Sequence, residues 1–248
     1  MDMIRSVLAP NPGPMTLEGT NTWIVDAPGG ALVIDPGPDA DSHVDAILDA
    51  CPRGIAEVWL THHHLDHVEV APRLADLVEA PIRAADPDLC RDAAPLTPDE
   101  DATFGGHEVQ VVALPGHTRD SLGFVVDDAL IAGDMILGRG TTVIMHPDGD
   151  LAAYLGSLDR IDALAAEGVS RILPAHGPDL DDVPGVVGHY RKHRHERLAQ
   201  VRAAVDAGAR TAEDVVATVY RDVPAEVRFA AQMSVQSQLD YLNGEEAR

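Results

Sequence analysis

Two β-rich runs, Thr22 to Asp26 and Ala31 to Asp35, flank the turn-forming Ala27-Pro28-Gly29-Gly30. That pattern predicts a hairpin, ended by Asp35-Pro36-Gly37. Gly123 to Val126 and Ala129 to Ala132 flank Asp127-Asp128 and predict a second hairpin that delivers the chain to Asp134. Val58-Trp59-Leu60 is an apolar run of strand length. Helical spacing takes over at Leu151, Leu155, Leu158, Ile161 and Leu164, where Asp150 supplies a cap and Gly168 a stop. From about His189 the pattern is helical only: a basic helix from Tyr190 to Ala207 stopped at Gly208, a Thr211-capped helix to Tyr220, and a third from Ala225 to Leu242. Strands alternating with helices and then helices alone predict an α/β domain of layered sheets over residues 1–188. A small helical region over 189–248 follows it.

Composition narrows the class. At 248 residues and 45% apolar, the chain can bury a large core. No run is long enough to span a bilayer, and Met1-Asp2-Met3-Ile4-Arg5-Ser6-Val7-Leu8 lacks the apolar core of a signal peptide, so cytoplasmic residence with no membrane partner is expected. Cys51 and Cys90 have no C-x-x-C spacing and read as ordinary reduced thiols. The formal charge of −23 is uneven: residues 1–188 hold 9 basic and 32 acidic side chains, and the remainder holds 9 of each. Such a field disfavours non-specific attraction to nucleic acid phosphate. The oligomeric state has no signature in the sequence.

The chemistry is concentrated in Thr61-His62-His63-His64-Leu65-Asp66-His67, which places four imidazoles and a carboxylate in seven residues. These are poor packing material and good metal ligands. His62 and His64 would diverge on a helix, but in a loop leaving a strand both rings can turn to one point. Asp66 and His67, one turn further on, can reach a second point beside it. His117, Asp134 and His176 each end a short apolar run at a Gly-containing turn, where strand ends present side chains at one rim of a sheet.

His62, His64, Asp66, His67, His117, Asp134 and His176 together fill the H-x-H-x-D-H motif and the later His, Asp and His of the metallo-beta-lactamase superfamily, which the sequence therefore resembles. The stretch Asn11 to Thr22, the Gly138-Arg139-Gly140-Thr141-Thr142 loop and His193-Arg194 with Arg197 are similar to the beta-lactamase-like protein 2 group, so the resemblance covers nearly the whole chain. It implies a four-layer αβ/βα sandwich with metals at one rim. It also implies a small winged-helix-like C-terminal region, here with length for a helical cap rather than a complete winged helix. His62, His64 and His117 would hold one metal, Asp66, His67 and His176 the other, and Asp134 would bridge them. Two divalent ions are implied; zinc suits the donors best, and iron or manganese also accepts the mixture. A bridging hydroxide would form near neutral pH because metal lowers the pKa of water from about 15.7 to about 7, with Asp66 orienting it. Asp35 and Thr61 are expected to support the histidine loop. One departure is Val68-Glu69-Val70, where relatives usually have small residues, so the turn after His67 must accommodate bulk beside the metals.

Other histidines carry less. His63 is expected to point away from the ions, His43 and His107 to be surface or strand residues, and His146 to be a loop residue or to line the pocket. Asn21, Thr141, His193 and Arg197 are the candidate substrate contacts, and Tyr190 or His193 could donate to an oxyanion. The basic helix would hold a phosphate, a carboxylate or the pantetheine-bearing end of a thioester.

Lactam hydrolysis is disfavoured, because true metallo-beta-lactamases usually lack an aspartate at the bridging position. Asp134 and His176, 42 residues apart, leave no room for the large inserted domain of the superfamily's nucleases. The favoured expectation is hydrolysis of a carbonyl ester or thioester on a small or carrier-bound acyl substrate, resembling hydroxyacylglutathione hydrolases and polyketide thioesterases. Cleavage of single-stranded RNA is the alternative; three Phe, two Trp and four Tyr leave few stacking platforms for it. A metal-binding scaffold with vestigial activity is the alternative of another class.

Overall fold

Side chains on a strand alternate between faces, so a strand buried on both sides must be apolar throughout and feed two cores at once. The central strands of this protein do so. The structure, a computed structural model, describes residues 3–221 and 227–246. Strands β1 (Ile4–Leu8), β2 (Asn21–Val25), β3 (Ala31–Ile34), β4 (Ile55–Trp59) and β5 (Ile82–Arg83) form one sheet in that spatial order. Strands β6 (Asp101–Phe104), β7 (His107–Ala113), β8 (Leu122–Val126), β9 (Ala129–Gly133) and β10 (Arg171–Pro174) form the second, ordered β10-β9-β8-β7-β6. Trp23, Leu32, Ile34 and Trp59 from the first sheet meet Val111, Phe124, Ile131 and Leu173 from the second in a core between the sheets.

The residues in alternate register point outward. Ile24, Val33 and Val58 pack beneath α1 (Asp41–Ala50) and α3 (Ala71–Val78), while Val112, Leu130 and Ile172 pack beneath α4 (Leu151–Glu167) and α5 (Val183–Asp206). The result is the expected four-layer αβ/βα sandwich. Asp150 caps α4, its carboxylate accepting from the Ala153 N–H at 2.8 Å. Leu151, Leu158, Ile161 and Leu164 are buried as the periodicity predicts. Each such side chain stabilises the fold by roughly 1.5–3 kcal/mol.

The basic helix begins earlier than the sequence suggests: α5 starts at Val183, capped by Asp182, and crosses residue 188 without a break. Helices α6 (Ala212–Val219) and α7 (Arg228–Glu246) pack on α5 and α4 in the same core. Thr211 and Asp214 form a reciprocal capping box at the start of α6. The start expected for the last helix at Ala225 lies outside the described residues. Among the described residues no helix is long and apolar enough to cross a membrane.

Several expectations need correction. His43 is neither a surface nor a strand residue: it lies in α1, 1% exposed, with Nε2 2.8 Å from the Thr22 hydroxyl. Val68 and Val70 do not crowd the metal rim. The short helix α2 (Leu65–Val68) turns both into the core beneath α1 and α3, and Glu69 faces outward to accept from the Asp39 N–H. Tyr190 is not placed as an oxyanion donor: its hydroxyl is buried, accepts from the Leu137 backbone N–H at 2.8 Å and donates to the Leu137 carbonyl at 3.4 Å.

Candidate metal centre

Strands β7, β9 and β10 run in one direction, so their C-terminal ends deliver Pro115-Gly116-His117, Asp134 and Ala175-His176 to a single rim. Across from them, β4 runs into the loop that carries His62 and His64 and then into α2, which carries Asp66 and His67. Glycines make the approach possible. Gly116 has φ +138 and a Cβ there would lie 2.4 Å from the Tyr154 Cα; Gly133 has φ +53 and its Cβ would meet Thr61 at 2.8 Å.

All seven predicted residues converge. The His64 Nδ1 lies 3.0 Å from the Nε2 of both His62 and His117. Nε2 of His176 lies 3.3 Å from both the Asp66 Oδ2 and the Asp134 Oδ1, and Nε2 of His67 lies 3.6 and 3.7 Å from the same two atoms. The other Asp134 oxygen, Oδ2, is 3.6 Å from the His117 Nε2, so this carboxylate faces both groups. Two ligands on one tetrahedral zinc at about 2.0–2.1 Å lie about 3.3 Å apart, which is the spacing found here. His67 Nε2, His176 Nε2 and Asp134 Oδ1 are buried without a hydrogen-bond partner. Leaving such atoms unsatisfied is costly, and cations between them would satisfy them. The donor set therefore fits a pair of divalent metals.

Hydrogen bonds behind the rings fix which nitrogen faces inward. The Nδ1 of His117 donates to the Val143 carbonyl at 2.8 Å, that of His176 to the Gly19 carbonyl at 3.1 Å, and that of His67 to Asp35 at 2.9 Å. Nδ1 of His62 sits 3.0 Å from the Thr61 hydroxyl, which itself donates to Asp35 at 2.6 Å. Asp35, 1% exposed, thus serves two histidines as well as the Thr61 backbone N–H. The Asn11 to Thr22 stretch also braces the centre, since Thr20 donates to the Asp66 carbonyl at 3.0 Å and Gly19 holds His176.

The electrostatics divide the site. Burial drives the pKa of His62 well down and, with the neighbouring imidazoles, lowers that of His64 to about 4, so both rings are neutral donors. Burial also lowers that of His117. For His67 burial opposes protonation, but the carboxylates of Asp35 and Asp134 outweigh it and raise the imidazole to about 9. Burial likewise disfavours the charged Asp66, yet the hydrogen bond with His176 and the charges of His67 and His176 hold its carboxyl well below the usual range.

The remaining candidates separate. Thr141, His193 and Arg197 line one cleft of about 270 Å³ between the loop after β9, α5 and α7. Asn21 is elsewhere: its amide donates to the Pro174 and Gly177 carbonyls at 3.0 and 2.8 Å, securing the turn that carries His176. His63 turns its Nδ1 to Asp120 at 2.8 Å, with Nε2 3.7 Å from Asp148; with His64 and Asp148 it forms a further group of donors close enough to share an ion. His146 pairs with Asp240 at 3.0 Å. Sequence reasoning assigned Asp120 and Asp148 no role, since neither stands at a strand end or in a histidine motif.

A two-sheet sandwich with this donor set at its rim defines a metal-dependent hydrolase. The metallo-beta-lactamase superfamily model matches residues 15–176, and the beta-lactamase associated winged helix domain matches residues 211–246, where α6 and α7 lie. The chain belongs to the metallo-beta-lactamase superfamily. The beta-lactamase-like protein 2 homolog of Caenorhabditis elegans is 33% identical over 95% of this chain and 82% of that protein. An atrochrysone carboxyl ACP thioesterase of Aspergillus chevalieri is 31% identical over 89% of this chain and 74% of its own length. Among solved structures, a metallo-beta-lactamase family protein from Thermus thermophilus superposes with a TM-score of 0.84 at 19% identity, covering 99% of this chain and 94% of that one.

Proposed function

We propose that this hydrolase is dinuclear, with His62, His64 and His117 at one metal, Asp66, His67 and His176 at the other, and Asp134 between them. The observation that carries this reading is the two-sided Asp134 carboxylate, one oxygen toward His117 and the other toward His67 and His176. Zinc is the metal proposed, from the imidazole-rich donors. When bound, the two ions would supply hydroxide near neutral pH and stabilise charge on the attacked group.

The protein's own contributions follow from geometry. Asp66, held ionised and still about a third exposed, reaches the open side of the centre, where its carboxylate would accept a hydrogen bond from the attacking hydroxide and so orient it. Asp35 and Thr61 hold the rings behind it. Thr141, His193 and Arg197 are proposed to contact substrate; Asn21 is proposed to act from behind, through the His176 turn.

The proposed substrate is a carbonyl ester or thioester of a small or carrier-bound acyl group. Its support is the relative named as an acyl carrier protein thioesterase, together with the strongly acidic surface that disfavours polyanions. The basic helix supports single-stranded RNA as the second reading. We further propose a catalytic region over residues 1–188 and a helical cap over 189–248, with α5 joining them, and cytoplasmic residence, which the free thiols of Cys51 and Cys90 suit.

The test is a thioester and a single-stranded RNA assayed side by side with and without chelator. Chelator-sensitive thioester turnover is expected. Chelator-sensitive RNA cutting alone would replace the acyl reading with the nuclease, and metal binding without either activity would favour a scaffold.

A further inference from the structure

A cation taken out of water needs compensation, from an acidic side chain, from carbonyl and aromatic partners, or from a ligand. This protein has acidic side chains in excess, and at least ten of its arginines, among them Arg5, Arg73, Arg119 and Arg191, form ion pairs with them. Arg194 and Arg197, one turn apart on α5, form no ion pair among the described residues. Arg194 is only 6% exposed, lies over the Tyr154 ring at 4.8 Å and donates one guanidinium nitrogen to the Thr142 carbonyl at 2.7 Å. Its Nε is buried with no partner. Arg197 lies over the Tyr220 ring at 4.7 Å and donates to the Gln200 side chain at 2.8 Å.

Both arginines line the cleft of about 270 Å³ that also receives Thr141, Thr142, His193 and Ser234. No carboxylate lines it among the described residues. Nδ1 of His193 is also buried and unpartnered, and burial with the adjacent guanidinium lowers this ring's pKa to about 4, so it is a neutral ring here. Beside the apolar Met15, Val143 and Ala230, the two guanidinium groups, hydroxyls and imidazole form a set rich in donors, with no carboxylate among the described residues to answer them. The cleft is smaller than the roughly 300–1,000 Å³ that encloses a drug-sized ligand, so its size suits one group of a larger molecule.

Position links the cleft to the chemistry. Thr142, whose carbonyl Arg194 holds, places its hydroxyl 3.2 Å from the His117 Nδ1, and the adjacent Val143 carbonyl accepts from the same nitrogen. One short loop therefore separates the unpaired guanidinium from the metal rim. We propose that this cleft is an oxyanion subsite, in which Arg194 and Arg197 receive a phosphate or carboxylate belonging to the substrate while its reacting carbonyl lies at the metal centre. The inference rests on the acyl hydrolase reading and adds that the acyl substrate, or the arm that carries it, is anionic.

The test uses the metal-loaded protein and two matched pairs. Hydrolysis of an acyl thioester on 4′-phosphopantetheine is compared with the same acyl group on pantetheine, and a monocarboxylate acyl chain with its methyl ester. Calorimetric binding of 4′-phosphopantetheine against pantetheine gives a readout that needs no turnover. Preference for the phosphorylated arm would place the charge on the carrier; preference for the free carboxylate would place it on the acyl chain. Either preference should be roughly 10- to 100-fold in KM or Kd, the range of a charge-assisted hydrogen bond, and the ratio of charged to neutral partner should fall towards one in Arg197→Gln. Arg194→Lys, which keeps the charge at the buried position, should retain more of the preference than Arg194→Gln, with thermal melting to establish folding. Equal treatment of charged and neutral partners by the wild type, or an Arg197→Gln loss equal for both, would overturn the subsite. Absence of turnover on every thioester would instead overturn the acyl reading beneath it.

Discussion

Replacing Asp35 by Asn should weaken metal binding without unfolding the protein. Asp35 has φ +51, a left-handed conformation that Asp and Asn tolerate better than other side chains, so the substitution spares the backbone. Asn can keep the bond from the Thr61 backbone N–H, now to its carbonyl oxygen. Its NH2 group then faces the Thr61 hydroxyl and the His67 Nδ1, both of which donate to the carboxylate in the native protein. The hydroxyl can rotate and accept. The imidazole has only two options: it sets one N–H against another, or it moves its proton to Nε2, the atom that faces Asp66 and Asp134. The second option blocks a ligand. Removing such a supporting partner typically costs 10–100-fold in metal affinity, about 1.4–2.7 kcal/mol. The loss should be larger at the ion beside His67, which Asp35 meets directly, than at the group His62, His64 and His117, which it reaches through the Thr61 hydroxyl. Stepwise titration against a competing chelating dye, with circular dichroism as a folding control, measures both affinities. Unchanged affinity for both ions in a folded Asp35→Asn protein would refute the reasoning.

Asp134→Ala should abolish binding of the metal pair as a pair; a variant that keeps two ions and full activity would contradict the bridging assignment. Leu158, fully buried on α4, should cost roughly 2–5 kcal/mol when changed to Ala, as measured by urea unfolding; a cost within experimental error would mean that the face of α4 is not packed as described. Cys51 sits in the core beneath α1, and burial pushes its thiol up to about 11. Its neutral form therefore predominates until the pH approaches that value, and its contribution to stability is fully present below the unfolded thiol's pKa of about 8.5 and lost as pH rises through about 11. At about pH 8 a thiol reagent should modify Cys90 first and Cys51 only after denaturation, and rapid labelling of Cys51 in the native protein would oppose this.

How far the sequence reached depended on whether a residue's role is local. The seven converging residues were legible because each stands at the end of an apolar run or in the loop that leaves one, and a strand end fixes where its side chain goes. The face of α4 and both hairpins were legible for the same reason. His43 was not, because its partner Thr22 lies in another element and a single histidine in a polar stretch carries no periodic signal. Asn21 and Tyr190 were read from their chemistry alone, and only the folded chain commits them to the Pro174, Gly177 and Leu137 backbone. The bulk of Val68 and Val70 beside a metal motif suggested crowding; α2 turns both into the core, a direction that only its packing on α1 and α3 decides. The basic stretch of α5 was visible as charge, while the burial of Arg194 with no carboxylate partner among the described residues became apparent only once α5 had packed against α4 and α7.

The most direct test of the dinuclear hydrolase is the metal content of the purified protein measured alongside its activity. Two ions per chain, with thioester turnover that disappears on chelation and returns on adding back two equivalents of zinc, is the predicted result. Full activity with one ion per chain, or turnover indifferent to chelator, would contradict it.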